Sequence, residues 1–444
     1  MSNDLKTSAL KYHSEPIPGK IHVVSSKPCN TQQDLALAYT PGVAQPCLEI
    51  KDAPEKVWDY TVKGNMVAVV SDGTAVLGLG NIGPEAGLPV MEGKAVLFKR
   101  FADIDAVPLC ISKVFKENGK TDPAKLIAVT ECLEPSFGGI NLEDIGAPAC
   151  FEVEQTLKEK MNIPVFHDDQ HGTAIISLAA ILNATKLLGK KLEDCKFVVN
   201  GAGAAGISCS ELYITAGAKR ENFLMCDSKG VIHADRTDLS KEKQRFAVKT
   251  DKRTLAEALV GADVFLGLSV GNCLTKEMVK TMNANPIIFA MANPTPEIFP
   301  TDAFDAGAAV VGTGRTDFPN QINNVLGFPG IFRGALDVRA RNVNEEMKLA
   351  AAEALCEVAS MKVDAETMED LAKAYPADAA NGMFDGDNPL KLSYVIPKPF
   401  DPRVVPHVAR KVAEAAMKTN MAKLQIEDLD AYEKSVRERI KANR

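Results

Sequence analysis

The chain has 444 residues, enough for two or three domains with a core each. Its formal charge of −7 excludes a nucleic-acid-binding surface as its main role, and no apolar run reaches the ~18–20 residues that cross a bilayer. Ten cysteines lie scattered without a C-x-x-C pair, so small buried thiols are expected rather than a disulfide or zinc framework; the N-terminus lacks the apolar core of a signal peptide, and the expected location is cytoplasmic.

Residues 1–60 read as polar helices and loops. Two β-rich runs follow, "MVAVVSDG" (66–73) and "TAVLGLGN" (74–81), joined by a turn at Asp72-Gly73. The apolar spacing of "GLPVMEGKAVLFKRFADI" predicts a helix. "AVPLCI", "LIAVTECL" and the short "GGINLED" are strand candidates, "APACFEVEQTLKEKM" is a helix with Pro148 near its first turn, and "IPVFHDD" is a strand. A long apolar helix then runs through "HGTAIISLAAILNATKLLGK". From Cys195 the alternation repeats: "KFVVN", "NFLMCD", "DVFLGLS", "PIIFAMANP" and "AAVVGTG" are strands, with helices among them. Such alternation predicts an α/β protein with two parallel-sheet domains covered by helices. After about residue 340 the pattern is helical, and the charged tail is expected to pack on the body or on a partner subunit. The expected division is 1–162, 163–395 and 396–444.

Gly201, Gly203 and Gly206 form a G-x-G-x-x-G turn ("GAGAAG", including Ala202, Ala204 and Ala205) between a strand and an apolar helix. The first glycine makes the tight turn, the second admits the pyrophosphate, and the third lets helix pack on strand. The helix N-terminus offers free N–H groups to phosphates. Asp227 ends the next strand, where an acid binds ribose hydroxyls. These features predict a Rossmann-type NAD(P)-binding domain. Ser228, Lys229, Lys241, Lys243 and Arg245 follow, and cations near the ribose suit a 2′-phosphate, although spacing alone also allows a solvated charge run.

Two acid pairs end other strands: Glu143-Asp144 and Asp168-Asp169. Ligands of open α/β sheets bind at the carboxyl ends of strands, so the pairs can converge on a hard-oxygen Mg²⁺ or Mn²⁺ site. The competing reading is that they cap helices. His167 and His171, four apart, have no third soft ligand nearby and straddle a strand-to-helix junction, so a capping or packing role is expected of them rather than zinc binding.

Seven stretches, taken together and in order, resemble the short, bacterial-type malic enzymes: "YTPGVAQPC" (39–47), "SDGTAVLGLGNIGPEAGLPVMEGKAVLFK" (71–99), "INLEDI" (140–145), "FHDDQHGTA" (166–174), "GAGAAG" (201–206), "MANPTPEI" (291–298) and "NQINNVLGFPGIFRGALD" (320–337). The resemblance implies oxidative decarboxylation of malate to pyruvate and CO₂, with NADP or NAD reduced, a divalent cation required, and oxaloacetate as a further substrate. It implies Tyr39 as general acid, Lys94 as general base and Asp168 as the acid paired with that lysine. It also implies Glu143, Asp144 and Asp169 as metal ligands, and Asn293, Asn323 and Asn324 at the substrate and nicotinamide end. "DSKG" and Lys243 resemble the NADP-using members. Ala75 stands where larger relatives carry a malate-binding arginine, so the holder of the C4 carboxylate is left unassigned. A homodimer is expected. The alternative is a metal-independent amino- or hydroxy-acid dehydrogenase on a similar two-domain plan.

Overall fold

The computed structural model describes residues 3–443. Four parallel strands form the first sheet: β1 (Met66–Ser71), β2 (Asp105–Cys110), β3 (Gly139–Leu142) and β4 (Val165–His167), in the order β2-β1-β3-β4. The second sheet holds β5 (Phe197–Asn200), β6 (Phe223–Asp227), β7 (Gly230–Val231), β8 (Val264–Gly267), β9 (Ile287–Ala290) and β10 (Val310–Thr313). Read from β7, its order is β7-β6-β5-β8-β9-β10. That is the dinucleotide-binding order 3-2-1-4-5-6, with the third strand reduced to two residues and antiparallel to β6. The strands β3, β4, β5, β8, β9 and β10 are buried on both faces, which is why they hold apolar runs such as "FVV" and "IIF", whereas the edge strand β2 is only half-buried.

A helix spanning Asp168–Leu187 joins the two units and is buried over most of its surface. An element apolar all round needs neighbours on every side. It finds them in the Ala204–Thr215 and Glu345–Ser360 helices. The helix Val404–Lys418 packs on Phe328–Asp337 and Glu345–Ser360, and the last helix, Leu429–Ala442, packs on Val404–Lys418 and Pro84–Ala102. The C-terminal segment therefore lies against the body. The N-terminus differs: residues 4–62 contribute no buried side chain.

Two strand expectations fail. The run 74–81 is not a strand but a glycine turn with a short 3₁₀ segment at Leu77–Leu79. β1 already has β2 and β3 on its two sides, so no edge is open to a hairpin. Gly78 instead presses on the second unit, where a Cβ on it would stand 2.5 Å from the Asn293 carbonyl oxygen. "LIAVTECL" lies in a helix, Pro123–Glu131. Pro123 opens it, and Leu126, Ile127 and Thr130 turn to the core at helical spacing, a pattern short apolar runs share with strands. The expected boundary at 162/163 also cuts ahead of β4, which hydrogen-bonds to β3. We propose to end the first unit at His167.

Candidate active site

The carboxyl ends of β1, β3 and β4 converge on one wall of a cleft of about 940 Å³. The opposite wall comes from the second unit, with Ala204, Ala205, Ser269, Asn293, Asn323 and Asn324. Glu143 and Asp144 follow β3, and Asp168 and Asp169 open the helix after β4. Among the described residues one group of acids has ligand atoms within 4.8 Å of one another: Glu143, Asp144 and Asp169. A six-coordinate Mg²⁺ at ~2.1 Å sets its oxygens about 3–4 Å apart, so this all-oxygen set fits a hard divalent cation. Asp144 adopts φ 55°, a left-handed conformation that aspartate tolerates, and its backbone N–H donates to Asp169 Oδ2 at 2.7 Å. Its carbonyl accepts from Ala75 N at 2.9 Å, and Thr74 Oγ1 accepts from Gly146 N at 2.8 Å. The loop after β1 thus props the loop after β3.

Lys94, on the Pro84–Ala102 helix, reaches the same acids. Its Nζ lies 2.6 Å from Asp168 Oδ2 and 2.9 Å from Glu143 Oε1, and 4.4 Å from the centre of the Phe328 ring. Asn324 Nδ2 donates to Asp168 Oδ2 at 3.1 Å and to its carbonyl at 3.3 Å, while Thr173 Oγ1 donates to Asn324 Oδ1 at 3.1 Å. Asn141 Nδ2 donates to Glu143 Oε2 at 2.8 Å. Burial, working against the pull of Lys94, joins repulsion from Asp169 and Asp168 to push Glu143 up to about 8. Asp169 rises too, through burial and then Asp144 and Asp168; its side chain is 36% exposed to the cleft, where water softens the effect. Burial alone would lower Lys94, but Asp168 and Glu143 reverse the sign and hold it above the ordinary lysine value. The neutral lysine expected of a base is therefore not the form these carboxylates favour without a further cation.

The histidines pack beside this cluster without joining it. His171 Nε2 bonds Glu154 Oε2 at 2.8 Å, and Lys348 Nζ reaches its Nδ1 at 3.3 Å. His167 is fully buried with neither ring nitrogen hydrogen-bonded; Nδ1 stands 3.7 Å from Asp169 Oδ2, and it makes no capping bond. Burial lowers both rings to about 4, so both are neutral.

At the other end of the cleft the three glycines differ as their tasks require. A Cβ on Gly201 (φ +125°) would stand 2.3 Å from the Leu268 carbonyl oxygen, and one on Gly206 would stand 1.9 Å from the Gly201 oxygen. Gly203 has nothing within 4 Å and leaves an open approach to the uncapped N-terminus of the Ala204–Thr215 helix. Ala202 is buried beneath it. The Asn293 loop is braced by Glu297, whose carboxylate accepts from Ser269 N at 3.0 Å and Ala292 N at 3.1 Å. Asn323 caps the next turn, its Oδ1 accepting from Val325 N at 3.0 Å.

Asp227 at the end of β6 is held by Arg236 (2.8 and 3.0 Å), by Lys243 (2.8 Å) and by the Lys229 backbone N–H (3.0 Å). Although burial raises it, Arg236, Lys243 and that N–H bring its carboxyl down to about 2. Lys229 Nζ pairs with Asp238, and Ser228 is exposed. Lys241 and Arg245, further cations of this run, do not reach Asp227; Arg245 pairs with Glu211 at 2.8 Å.

Sequence reading missed three groups. Arg236 lies nine residues beyond Asp227 in a loop, where no periodicity marks it. Lys20 stands at the cleft mouth, its backbone N bonding Glu92 at 3.2 Å and its Nζ bonding His13 Nε2 at 3.0 Å and Pro89 O at 2.5 Å. Gly93, next to Lys94, makes room for it: a Cβ there would lie 3.4 Å from Lys20 Nζ. Tyr12 and His13 line the same mouth. Tyr39 is the one expected catalytic residue not brought to the cluster: it is 69% exposed and does not line the cleft.

Comparison with known proteins gives the family. Residues 18–158 match the family described as "Malic enzyme, N-terminal domain" and residues 170–376 match "Malic enzyme, NAD binding domain". The chain is 54% identical to the NADP-dependent malic enzyme of Escherichia coli K12, over 97% of this chain and 55% of that protein. It is 51% identical to the bifunctional malic/malolactic enzyme of Bacillus subtilis 168, over 97% and 98% respectively. The crystal structure of a malic enzyme from Pyrococcus horikoshii superposes with a TM-score of 0.86 at 41% identity, covering 98% of this chain and 96% of that one. The chain spans about half the length of several curated relatives it matches, such as that of E. coli.

Proposed function

Because the chain belongs to the malic enzyme family, we propose that it converts L-malate to pyruvate and CO₂ with reduction of NADP, and acts on oxaloacetate by the same decarboxylation. The observation that carries this reading is the ion-paired Lys94–Asp168–Glu143 group beside a three-acid cluster, facing a glycine-rich phosphate turn across one cleft.

Oxidation moves the C2 hydrogen of malate, as hydride, to the nicotinamide, and the C2 hydroxyl gives up its proton. Lys94 is assigned as the acceptor of that proton, and Asp168 and Asn324 fix its position. Cleavage of C3–C4 then releases CO₂ and leaves an enol, which needs a proton at C3; Tyr39 is assigned as the donor. A divalent cation held by Glu143, Asp144 and Asp169 would supply Lewis acidity to the substrate's oxygens and offset the negative charge that keeps Lys94 protonated. Lys20 is the cation available at the cleft mouth for the carboxylate that Ala75 cannot hold. Arg236 and Lys243 support NADP over NAD, because guanidinium and ammonium groups suit a ribose 2′-phosphate while occupying the carboxylate that would repel it.

One assay tests reaction, cation and coenzyme together: malate with Mn²⁺ and either NADP or NAD, following reduced nicotinamide absorbance and CO₂. Stoichiometric pyruvate and CO₂, abolished by EDTA, is expected. A four-carbon ketoacid without CO₂ would favour the metal-independent dehydrogenase, and a full rate in EDTA would remove the cation from the scheme.

A further inference from the structure

We propose that His167 is a positioning residue for Asp169: its ring N–H donates to the Asp169 carboxylate and keeps that acid turned toward Glu143 and Asp144, an inference that rests on the reading of these three acids as the cation site given above. His167 ends β4, and its side chain is fully buried. Neither ring nitrogen makes a hydrogen bond within the protein. Buried polar atoms without partners are rare, because each gives up its bonds to water at a cost of about 1–3 kcal/mol. Two of them on one ring call for a use that packing does not supply.

The second histidine of the same motif shows a satisfied ring. His171 Nε2 bonds Glu154 Oε2 at 2.8 Å, and Lys348 Nζ meets its Nδ1 at 3.3 Å. Glu154 is then occupied at both oxygens, since Oε1 accepts from the His167 backbone N–H at 3.1 Å and pairs with Lys158 at 3.0 Å. The carboxylate in reach of the His167 ring is Asp169, whose Oδ2 stands 3.7 Å from Nδ1. An N–H···O bond is about 2.9 Å long, so a shift of about 0.8 Å closes the gap.

Asp169 has a use for such a partner. Its neighbour Asp168 is fully buried and gripped by Lys94 and Asn324. Asp169 is 36% exposed to the cleft, and its Oδ2 takes the Asp144 backbone N–H at 2.7 Å. That N–H belongs to the loop after β3, whereas His167 is fixed in the sheet, so a bond from its ring would anchor the carboxylate to the more rigid element. Burial keeps the ring neutral. A neutral imidazole donates from one nitrogen only and adds no positive charge to compete with a cation. Donors behind a ligating carboxylate hold its orientation, and their loss typically weakens metal affinity by about 10–100-fold.

Mn²⁺ binding to the full chain, followed by electron paramagnetic resonance without malate or NADP, tests this apart from turnover. His167→Leu removes both ring nitrogens and keeps an apolar side chain, whereas His167→Asn keeps an amide N–H near the place of Nδ1. His167→Leu is expected to raise the Mn²⁺ Kd by about 10–100-fold. Its melting temperature in EDTA should stay level or rise, because an apolar side chain replaces an orphaned polar ring. The further rise on adding Mn²⁺ should shrink, since that rise follows from cation affinity. His167→Asn should restore most of the affinity. A Kd for His167→Leu within about twofold of wild type would overturn the proposal, well short of the loss expected for a missing donor. So would His167→Asn binding as weakly as His167→Leu, because the ring would then act through its packing. His167→Phe replaces His167→Leu in the comparison if the latter does not fold. Wild-type protein that binds no Mn²⁺ is a separate outcome, which overturns the cation reading itself and this proposal with it.

Discussion

The two sheets of this protein each set acids at their carboxyl ends and treat them in opposite ways. Asp227, at the end of β6, meets Arg236, Lys243 and a backbone N–H, and its carboxyl is held near 2. Glu143, Asp144, Asp168 and Asp169 gather at the ends of β3 and β4, where Lys94 pairs with Glu143 and Asp168, and Glu143 is pushed up to about 8. The first set is balanced as it stands. The second has more carboxylate than its lysine can neutralise, and burial makes that imbalance costly. A surplus of buried negative charge is what a cation site looks like before its cation is considered. A buried acid matched by an arginine is a built-in counterion.

Turnover should separate the two most sharply. Asp144→Asn or Asp169→Asn should cut Mn²⁺-dependent malate turnover by at least about 10²–10³-fold, and Lys94→Met by about 10²–10⁴-fold, as measured by initial rates at saturating NADP. Asp227→Asn should leave the decarboxylation step itself, followed with oxaloacetate, near wild type. A loss there equal to that of Asp169→Asn would erase the distinction between the sets.

Coenzyme choice should come next. Arg236→Ala or Lys243→Ala should raise the KM for NADP by about 10–100-fold while changing that for NAD by much less, since one charge-assisted contact contributes about 1.5–3 kcal/mol. Equal effects on both coenzymes would mean that these cations only hold Asp227.

Stability should respond with opposite signs. In EDTA, Asp169→Asn relieves repulsion and should raise the melting temperature, whereas Asp227→Asn takes the carboxylate partner from Lys243 and leaves Arg236 only Asp238, and should lower it, each by about 1–3 kcal/mol in calorimetry. The sign for Asp227 also fixes a pH window. Its folded pKa of about 2 lies below the ordinary value, so its contribution is present at neutral pH and lost as pH falls from about 4 toward 2. The smallest effect is expected from Lys20→Met, a rise of a few-fold in the KM for malate with kcat little changed, because its Nζ already has protein partners and lies at the mouth. A change in kcat alone would argue against a substrate contact.

Much of this was legible in the chain. Strand-glycine-helix at 197–215 reads as a phosphate turn because each glycine answers a local steric demand, and local demands leave local patterns. The acid pairs were legible as pairs, but the junction was legible only to within a few residues: the expected strand ran to Asp169, whereas β4 ends at His167 and the helix starts at Asp168. "TAVLGLGN" and "LIAVTECL" misled for a common reason: short apolar runs carry no period, and only the packing of β1 between two strands, or of Leu126 and Thr130 on one helix face, settles their form. Arg236 and Lys20 were invisible because a loop cation acquires meaning only from what lies opposite it.

The sequence by itself determined two α/β units, the glycine turn and the identity of the acids, since these depend on residue type and near-neighbour spacing. The tertiary structure decided which acids meet. Glu143 reaches Lys94 across 49 residues of chain and Asp144 reaches Asp169 across 25, distances over which spacing carries no geometric information. It also decided that Tyr39 stands apart from Lys94, because the residues around it find no core of their own to pack against.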